Sequence, residues 1–252
     1  MRGFLIALQF LTIAPVPIRR PIEPEELGRS MRWFPAIGAL LGCVVALVDW
    51  LLAPITTAEI RSVAAVTLLA VLTGALHLDG LMDACDALFA LATPARRLEI
   101  MADSRVGSFG LVGAALTLLL KFAAILAIPA FARPEGFIAM GALSRWAMVY
   151  GTVQFPAART VGLGSSYKAA AGRTELVIAT GLAVLALTLA GAAGAGALLI
   201  AWAVATACAR YACARIGGLN GDVYGAISEV VEVAVAIVLP PLWRFVGAPL
   251  AI

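Results

Sequence analysis

Charged side chains are scarce in this sequence. Asp, Glu, Lys and Arg make up 13% of its 252 residues, whereas hydrophobic residues make up 62%. A soluble globular domain carries about 25% charged residues, so this composition excludes that class. Several apolar runs approach the roughly 20 residues that an α-helix needs to cross a bilayer. The sequence therefore predicts an all-α polytopic membrane protein, with one integral membrane domain over residues 1–252.

The hallmarks of several other protein classes are also missing. No basic block indicates nucleic acid as a partner, and the formal net charge is only +3. The four cysteines form no Cys-x-x-Cys pair, and we interpret them as buried reduced thiols. The sequence contains neither a Gly-rich Walker loop nor a Ser-His-Asp constellation. Chemistry in this chain must therefore come from other polar residues.

The apolar runs predict a bundle of about seven transmembrane helices, within a range of six to eight, after a short N-terminal interfacial helix. The N-terminus superficially resembles a signal peptide but lacks an Ala-x-Ala cleavage site, so we expect it to be retained. A GAAGAG run at 191–196 is the expected hairpin between spans five and six, and Pro240 and Pro241 are expected to end the last span. The predicted spans are 33–53, 62–76, 107–131, 137–155, two passes within 176–209, and 224–240.

The distribution of Lys and Arg predicts the orientation. Most of the 18 basic residues lie before span one or between spans two and three, four and five, and six and seven. Because cytoplasmic loops are enriched in Lys and Arg, these loops and the N-terminus are predicted to be cytoplasmic. Lys121 and Arg145 lie inside predicted spans, and we interpret Arg145 as a partner of a carboxylate or a phosphate.

Acidic residues concentrate in one segment, residues 77–107, which we interpret as a cytoplasmic-side active-site segment. Asp79, Asp83 and Asp86 follow the spacing i, i+4, i+7, which places three carboxylates on one face of a helix. Carboxylates gathered without Cys or His favour Mg²⁺ or a similar hard cation. In an alternative interpretation, these aspartates and Asp103 cap helices or pair with nearby arginines.

A second acidic face is predicted at the start of the last span, where Asp222, Glu229 and Glu232 are separated by seven and three residues. Carboxylates at membrane depth are costly unless they are paired, ligated or hydrated. Carboxylates, a divalent ion and arginines at a membrane surface suit phosphoryl transfer. The residues alone predict a metal-dependent phosphotransferase, with a cation-coupled transporter as the competing hypothesis.

The longest motifs resemble one family. They are ALQFLTIAPVP, FPAIGALLG, GALHLDGLMDACDAL, RRLEIMADSRVGSFG, LSRWAM and GGLNGDVYGAISEVVE, and they cover nearly the whole chain. In this order they resemble the cobalamin synthase family, the adenosylcobinamide-GDP ribazoletransferases. The chain has Ala87 where the family usually has Gly, Asn220 where it tends to have Thr, and Thr160-Val161 where it has Pro-Glu.

The resemblance implies an Mg²⁺-dependent enzyme of the bacterial inner membrane, with its active site facing the cytoplasm. Its substrates would be adenosylcobinamide-GDP and α-ribazole or α-ribazole 5′-phosphate, and it would release GMP. A phosphotransferase of the CDP-alcohol type is the alternative, although its full DGxxAR signature is absent. The oligomeric state stays open and includes a homo-oligomer. The implied catalytic and metal residues are Asp79, Asp83, Asp86 and Asp103, and the implied substrate-binding residues are His77, Glu99, Arg105, Arg145, Arg159, Asn220, Asp222, Glu229 and Glu232.

Overall fold

The computed structural model describes residues 2–18, 20–158 and 163–246. These residues form helices and turns, with one isolated parallel bridge between Ala157 and Leu219. The predicted all-α membrane class is confirmed. In chain order the helices are α1 Arg2–Leu11, α2 Pro24–Ser30, α3 Phe34–Leu52, α4 Ala58–Leu72, α5 Leu76–Phe89, α6 Pro94–Met101, α7 Ser108–Leu126, α8 Arg133–Gln154, α9 Leu163–Ala170, α10 Arg173–Leu187, α11 Ala192–Ile216 and α12 Gly221–Phe245.

Among the described residues, five helical segments are long and apolar enough to cross a membrane. The pair α4 and α5 would make a sixth, which is one fewer than the central prediction of about seven and lies within the predicted range of six to eight. The difference arises at α8, which is 22 residues long but is not among the apolar segments. Most of α8 is buried by its neighbours. Its polar residues therefore face other parts of the protein, and contact with lipid does not require the helix to be apolar. The five segments are Pro24–Leu52, Ser108–Leu126, Arg173–Ala190, Ala192–Ile216 and Gly221–Phe245.

Several helix ends differ from the predicted boundaries. The predicted polar loop after residue 209 is mostly helical, because α11 continues to Ile216. Gly217 then ends α11 in the left-handed conformation (φ 79°) that glycine adopts without a steric penalty. The expectation that the prolines would end α12 is wrong: the helix continues through Pro240 and Pro241 to Phe245. The hairpin between α10 and α11 does turn at Gly191 (φ 59°).

The N-terminal helix α1 packs on the start of α3. Phe4 meets Trp33 edge-on at 5.9 Å, and Phe10 stacks on Phe34 at 5.8 Å between ring centroids. Such aromatic pairs stabilise a contact by about 0.5–1.5 kcal/mol beyond their buried area. The predicted short N-terminal helix is therefore present and is held by aromatic contacts.

A sharp bend separates α4 from α5. The two helix axes differ by 88°, and the turn uses consecutive left-handed residues, Gly74 (φ 58°) and Ala75 (φ 56°). A left-handed conformation is strained for alanine, so the surrounding contacts must hold it. The bend turns α5 nearly perpendicular to α4, and the acidic segment begins there.

Helices α3 and α8 cross at glycines. A Cβ atom at Gly38 would overlap the carbonyl oxygen of Gly141, and a Cβ at Gly141 would overlap that of Gly38. A Cβ at Gly42, one turn along α3, would likewise overlap the carbonyl oxygen of Phe137. Small residues at such a crossing let two backbones approach each other in a membrane protein.

This crossing makes Gly38→Ala destabilising. We expect the substitution to lower the free energy of unfolding by about 1–3 kcal/mol through overpacking. The matched control is Gly181→Ala on α10, where an added Cβ meets no atom within 4 Å. Because alanine favours a helix over glycine by about 0.5–1 kcal/mol, the control is expected to stabilise slightly. Thermal unfolding in detergent measures both, and equal effects at the two positions would show that the crossing tolerates a methyl group.

Candidate functional site

The acidic residues of α5 form one stripe. The helix runs without a break from Leu76 to Phe89, so Gly80 does not interrupt it and Asp79, Asp83 and Asp86 share a face. Asp79 is exposed, and the other two are half-buried. Asp83 lies within electrostatic range of both other aspartates and of Asp222. We call Asp79, Asp83 and Asp86 the acidic stripe.

Two glycines bring the start of α12 against the acidic stripe. A Cβ atom at Gly80 would lie 2.9 Å from the carbonyl oxygen of Asp222, and a Cβ at Gly225 would lie 3.2 Å from that of His77. Any larger residue at Gly80 would push α12 away. Glycine destabilises the interior of a helix, but here it permits a close approach of two backbones, which places Asp222 beside the stripe.

Asp86 has a structural partner. Its carboxylate accepts hydrogen bonds from the backbone N–H groups of Gly107 (2.7 Å) and Gly110 (2.8 Å), at the start of α7. A Cβ at either glycine would overlap this carboxylate. A negative charge at a helix N-terminus satisfies donors that have no partner within the helix and complements its dipole. Asp86 therefore caps α7 from a different helix.

This cap gives the stripe residues different roles in stability. We expect Asp86→Ala to lower the free energy of unfolding by about 1–2 kcal/mol, as the loss of a helix cap does. The matched variant Asp79→Ala removes an exposed carboxylate from the same face, and its effect on stability is expected to stay within about 0.5 kcal/mol. Chemical or thermal unfolding distinguishes them. A loss of the same size at both positions would contradict a specific capping role.

Asp103 and Arg105 lie in the turn between α6 and α7 and bind each other. The Arg105 guanidinium donates to both Asp103 carboxylate oxygens, with a shortest distance of 2.6 Å. These hydrogen bonds lower the pKa of Asp103 to about 2, so it is ionised at neutral pH. Glu99 is exposed and paired with Arg96 at 2.7 Å. The structure thus places these predicted residues at the surface as ion pairs.

The second predicted acidic face lies deeper. Glu229 and Glu232 both accept hydrogen bonds from Lys121, at 2.6 and 2.8 Å. Glu232 also pairs with Arg145, which in turn donates to Ser144 at 2.7 Å. All four charged residues are at most 5% exposed. We call Lys121, Arg145, Glu229 and Glu232 the buried charge network; it joins α7, α8 and α12, and its two positive charges balance two negative charges.

His77 lies next to this network rather than on the surface. Its side chain is 1% exposed and within electrostatic range of Lys121, Arg145 and Glu232. Neither ring nitrogen has a hydrogen-bond partner among the described residues. The chain therefore separates its predicted site residues into an accessible acidic stripe with Asp222 and a buried group below it.

Asn220 caps α12. Its side-chain oxygen accepts from the Val223 N–H at 3.1 Å, and its amide donates to Asp222 at 2.9 Å. The preceding residue, Leu219, forms the isolated bridge with the segment that ends at Ala158, through N–O distances of 2.8 Å. Arg159, a predicted phosphate ligand, lies outside the described residues. The bridge brings the chain that leads to it beside the start of α12.

Two arginines have roles that sequence reasoning missed. Arg97 is 4% exposed and donates to carbonyls at the end of α5, including Ala87 at 2.8 Å. Arg133 makes a bidentate pair with buried Asp49, with a shortest distance of 2.7 Å. For Arg97, the available sequence signal is an arginine that follows an acidic helix by one or two turns. For Arg133 there is no such signal, because its contact joins segments that are distant in the sequence.

Among the described residues, no three His, Cys, Asp or Glu side chains are arranged to hold a metal ion by themselves. Mg²⁺ is commonly held by one or two carboxylates together with substrate phosphates and water. Asp79 and Asp83, with Asp222 nearby, supply hard oxygen donors of this kind at an accessible surface. The donor set fits a magnesium ion that binds together with a phosphorylated substrate.

Comparison with known proteins decides the family. The model of the family described as Cobalamin-5-phosphate synthase matches residues 3–240. The chain belongs to this family. Its residues 3–240 include the acidic stripe, the buried charge network and the Asn220 cap, so all of these features lie within the matched region.

Several curated relatives cover nearly the whole chain. An adenosylcobinamide-GDP ribazoletransferase from Roseiflexus sp. (strain RS-1) is 39% identical over 90% of this chain and 85% of its own length. Proteins of the same name from Geotalea daltonii and Stutzerimonas stutzeri are 37% and 38% identical, over 92% and 94% of this chain and 94% and 97% of their own lengths. No solved structure matches the chain at a significant level.

Proposed function

We propose that this protein transfers the adenosylcobinamide-phosphate moiety from adenosylcobinamide-GDP to α-ribazole or α-ribazole 5′-phosphate and releases GMP. The observation that carries the proposal is the acidic stripe beside Asp222, within a chain whose relatives bear the name of this transferase. Phosphoryl transfer at a diphosphate needs charge neutralisation more than covalent catalysis. A cation held by accessible carboxylates on a rigid helix would supply that neutralisation.

In this proposal Asp79 and Asp222 hold Mg²⁺, and the neighbouring Asp83 carboxylate accepts the proton of the attacking hydroxyl. The metal, when bound, neutralises phosphate oxygens and stabilises the charge on departing GMP. Asp86 holds α7 against α5 and so fixes the stripe, because its carboxylate already accepts two backbone hydrogen bonds. Its proposed role is therefore to position the stripe.

The basic residues near the stripe bind phosphate oxygens. Arg105 is exposed, and its bidentate partner Asp103 shows that the guanidinium is preorganised to bind a planar pair of oxygens. A substrate phosphate would exchange with Asp103, and Arg159 is proposed to contribute a second contact. Arg145 stays in the buried charge network, where it holds Glu232.

The reaction is a single displacement at phosphorus. A ribose hydroxyl of the ribazole substrate attacks the cobinamide-side phosphorus, a new phosphorus–oxygen bond forms, and the bond to the GMP oxygen breaks. The hydroxyl proton passes to a carboxylate of the stripe, for which half-buried Asp83 is the proposed base. The stripe is proposed to face the cytoplasm of a bacterium, on the inner membrane, because the basic residues cluster at that end.

One assay tests this function. Purified protein in detergent is incubated with adenosylcobinamide-GDP, α-ribazole and Mg²⁺, and GMP and the corrinoid product are quantified together. We expect equal amounts of both, and neither product without α-ribazole. Uptake of substrate into proteoliposomes without GMP formation would instead support the cation-coupled transporter. CMP release from a CDP-alcohol would instead support a phosphotransferase of the CDP-alcohol type.

A further inference from the structure

Three helices carry or support the carboxylates of the proposed metal site. Asp79 lies on α5, Asp222 lies in the first turn of α12, and the Asp86 carboxylate caps the start of α7. Each pair among α5, α7 and α12 is in contact. The relative positions of these helices therefore decide where Asp222 lies against the acidic stripe.

The starts of α7 and α12 are both attached to α5. Asp86 accepts hydrogen bonds from the backbone at the start of α7, and Gly80 lies against the backbone at the start of α12. Further along, Lys121 joins α7 to α12 through hydrogen bonds to Glu229 and Glu232, at 2.6 and 2.8 Å. We call α5, α7 and α12, joined by these three contacts, the three-helix frame.

The Lys121 contact lies below the site by similar lengths of both helices. On α7, Lys121 follows Gly110 by 11 residues, or about 16 Å at a rise of about 1.5 Å per residue. On α12, Glu229 and Glu232 follow Asp222 by 7 and 10 residues, or about 10 and 15 Å. The depth of Lys121 in the bundle is therefore coupled to the position of Asp222 at its surface.

Apolar packing gives α7 little that would fix its depth. Its buried residues are mostly small, and Lys121 has the longest side chain among them: Gly110, Ala114, Lys121, Ala124 and Ile125. Lipid tails are as apolar as this helix, so the hydrophobic effect does not hold it in one register within a bilayer. A shift of α7 along α12 would separate the Lys121 ammonium from its glutamates and leave buried charges unpaired, which is strongly unfavourable.

We propose that Lys121 is a positioning residue for the proposed metal site. It acts through Glu229 and Glu232: by holding α7 and α12 in one register, it keeps Asp222 beside Asp79. This inference rests on the proposed function, in which these two aspartates hold Mg²⁺. Loss of the Lys121 contact should therefore weaken metal binding more than it slows the reaction of the metal-saturated enzyme.

The test measures metal binding without turnover. The full chain in detergent is mixed with adenosylcobinamide-GDP, without α-ribazole, and titrated with Mn²⁺, a hard cation whose free form is quantified by electron paramagnetic resonance. The frame variant, Lys121→Met with Glu229→Gln, removes the contact and leaves one buried positive and one buried negative charge, Arg145 and Glu232. It should raise the Kd for Mn²⁺ about tenfold, the lower end of the range for residues that support metal ligands. The Mg²⁺ concentration for half-maximal GMP release should rise similarly, and the rate at saturating Mg²⁺ should be largely retained.

Two further variants separate the position of α12 from a general loss of stability. The control variant, Arg32→Met with Glu175→Gln, removes another ion pair between distant segments, outside the three-helix frame, and should leave the Kd for Mn²⁺ unchanged. Gly80→Ala pushes α12 away from α5 without a change in charge, so it should raise this Kd as the frame variant does.

Glu229→Gln alone covers the case in which the frame variant folds poorly. It keeps the contact between Lys121 and Glu232 and should raise the Kd for Mn²⁺ by a smaller factor. A wild-type Kd in the frame variant, or in Glu229→Gln if only that variant folds, would overturn the positioning role, as would an equal rise in the control variant. Absence of Mn²⁺ binding by the wild type would instead contradict the proposed metal site and with it the proposed function.

Discussion

Asp83→Asn is expected to lower the rate of GMP release by about 10²–10⁴-fold, the range for loss of a general base. Asp83 is half-buried and in electrostatic range of Asp79, Asp86 and Asp222, so it stands at the centre of the acidic group. Asparagine keeps the size of the side chain but removes the charge and the proton acceptor. Initial rates at saturating substrate and Mg²⁺ measure the effect.

Two controls separate chemistry from folding in this experiment. The Tm of Asp83→Asn should stay close to that of the wild type, because no described hydrogen bond to its carboxylate is lost. Glu25→Gln, an exposed carboxylate on α2, should keep the wild-type rate. Wild-type turnover by folded Asp83→Asn would show that the stripe does not carry the reaction as proposed.

Lys121→Met should destabilise the protein more than any surface substitution. Its ammonium lies between Glu229 and Glu232, and methionine would leave two buried carboxylates with Arg145 as their remaining cation. Removal of one partner from a buried ion pair costs about 3–5 kcal/mol. The loss of folded protein and of Tm in detergent should be correspondingly large.

A compensating variant tests the reason for that loss. Lys121→Met combined with Glu229→Gln restores equal numbers of buried positive and negative charges, and at least half of the lost stability should return. Arg244→Gln removes an exposed cation near the end of α12 and should stay within about 0.5 kcal/mol of the wild type. If Lys121→Met matched Arg244→Gln, the buried charge network would have no stabilising role.

The helices themselves were predictable from composition, because an apolar run that is long enough to cross a bilayer satisfies its backbone hydrogen bonds there as an α-helix. The acidic stripe was also predictable, since its spacing needs only one continuous helix. Local order therefore follows from local sequence. The resemblance to known motifs then indicated which polar segments share a site.

Contacts between distant segments were not predictable in this way. Lys121 and Glu229 are separated by more than 100 residues, and no spacing rule says that α7 and α12 turn these residues toward each other. The bend before α5 depends on a left-handed Ala75, a conformation that alanine gives no reason to expect. Asp86 was predicted as a metal ligand, with helix capping as the alternative. In the structure its carboxylate accepts two backbone hydrogen bonds at the start of α7, a contact that depends on where α7 begins.

The most direct test of the central claim, that the acidic stripe supports a magnesium-dependent transfer, is a Mg²⁺ titration of metal-stripped wild-type protein with adenosylcobinamide-GDP and α-ribazole. GMP release should be absent in EDTA and should rise to saturation as Mg²⁺ is added back, with one corrinoid product formed per GMP. Undiminished GMP release in EDTA would contradict the claim.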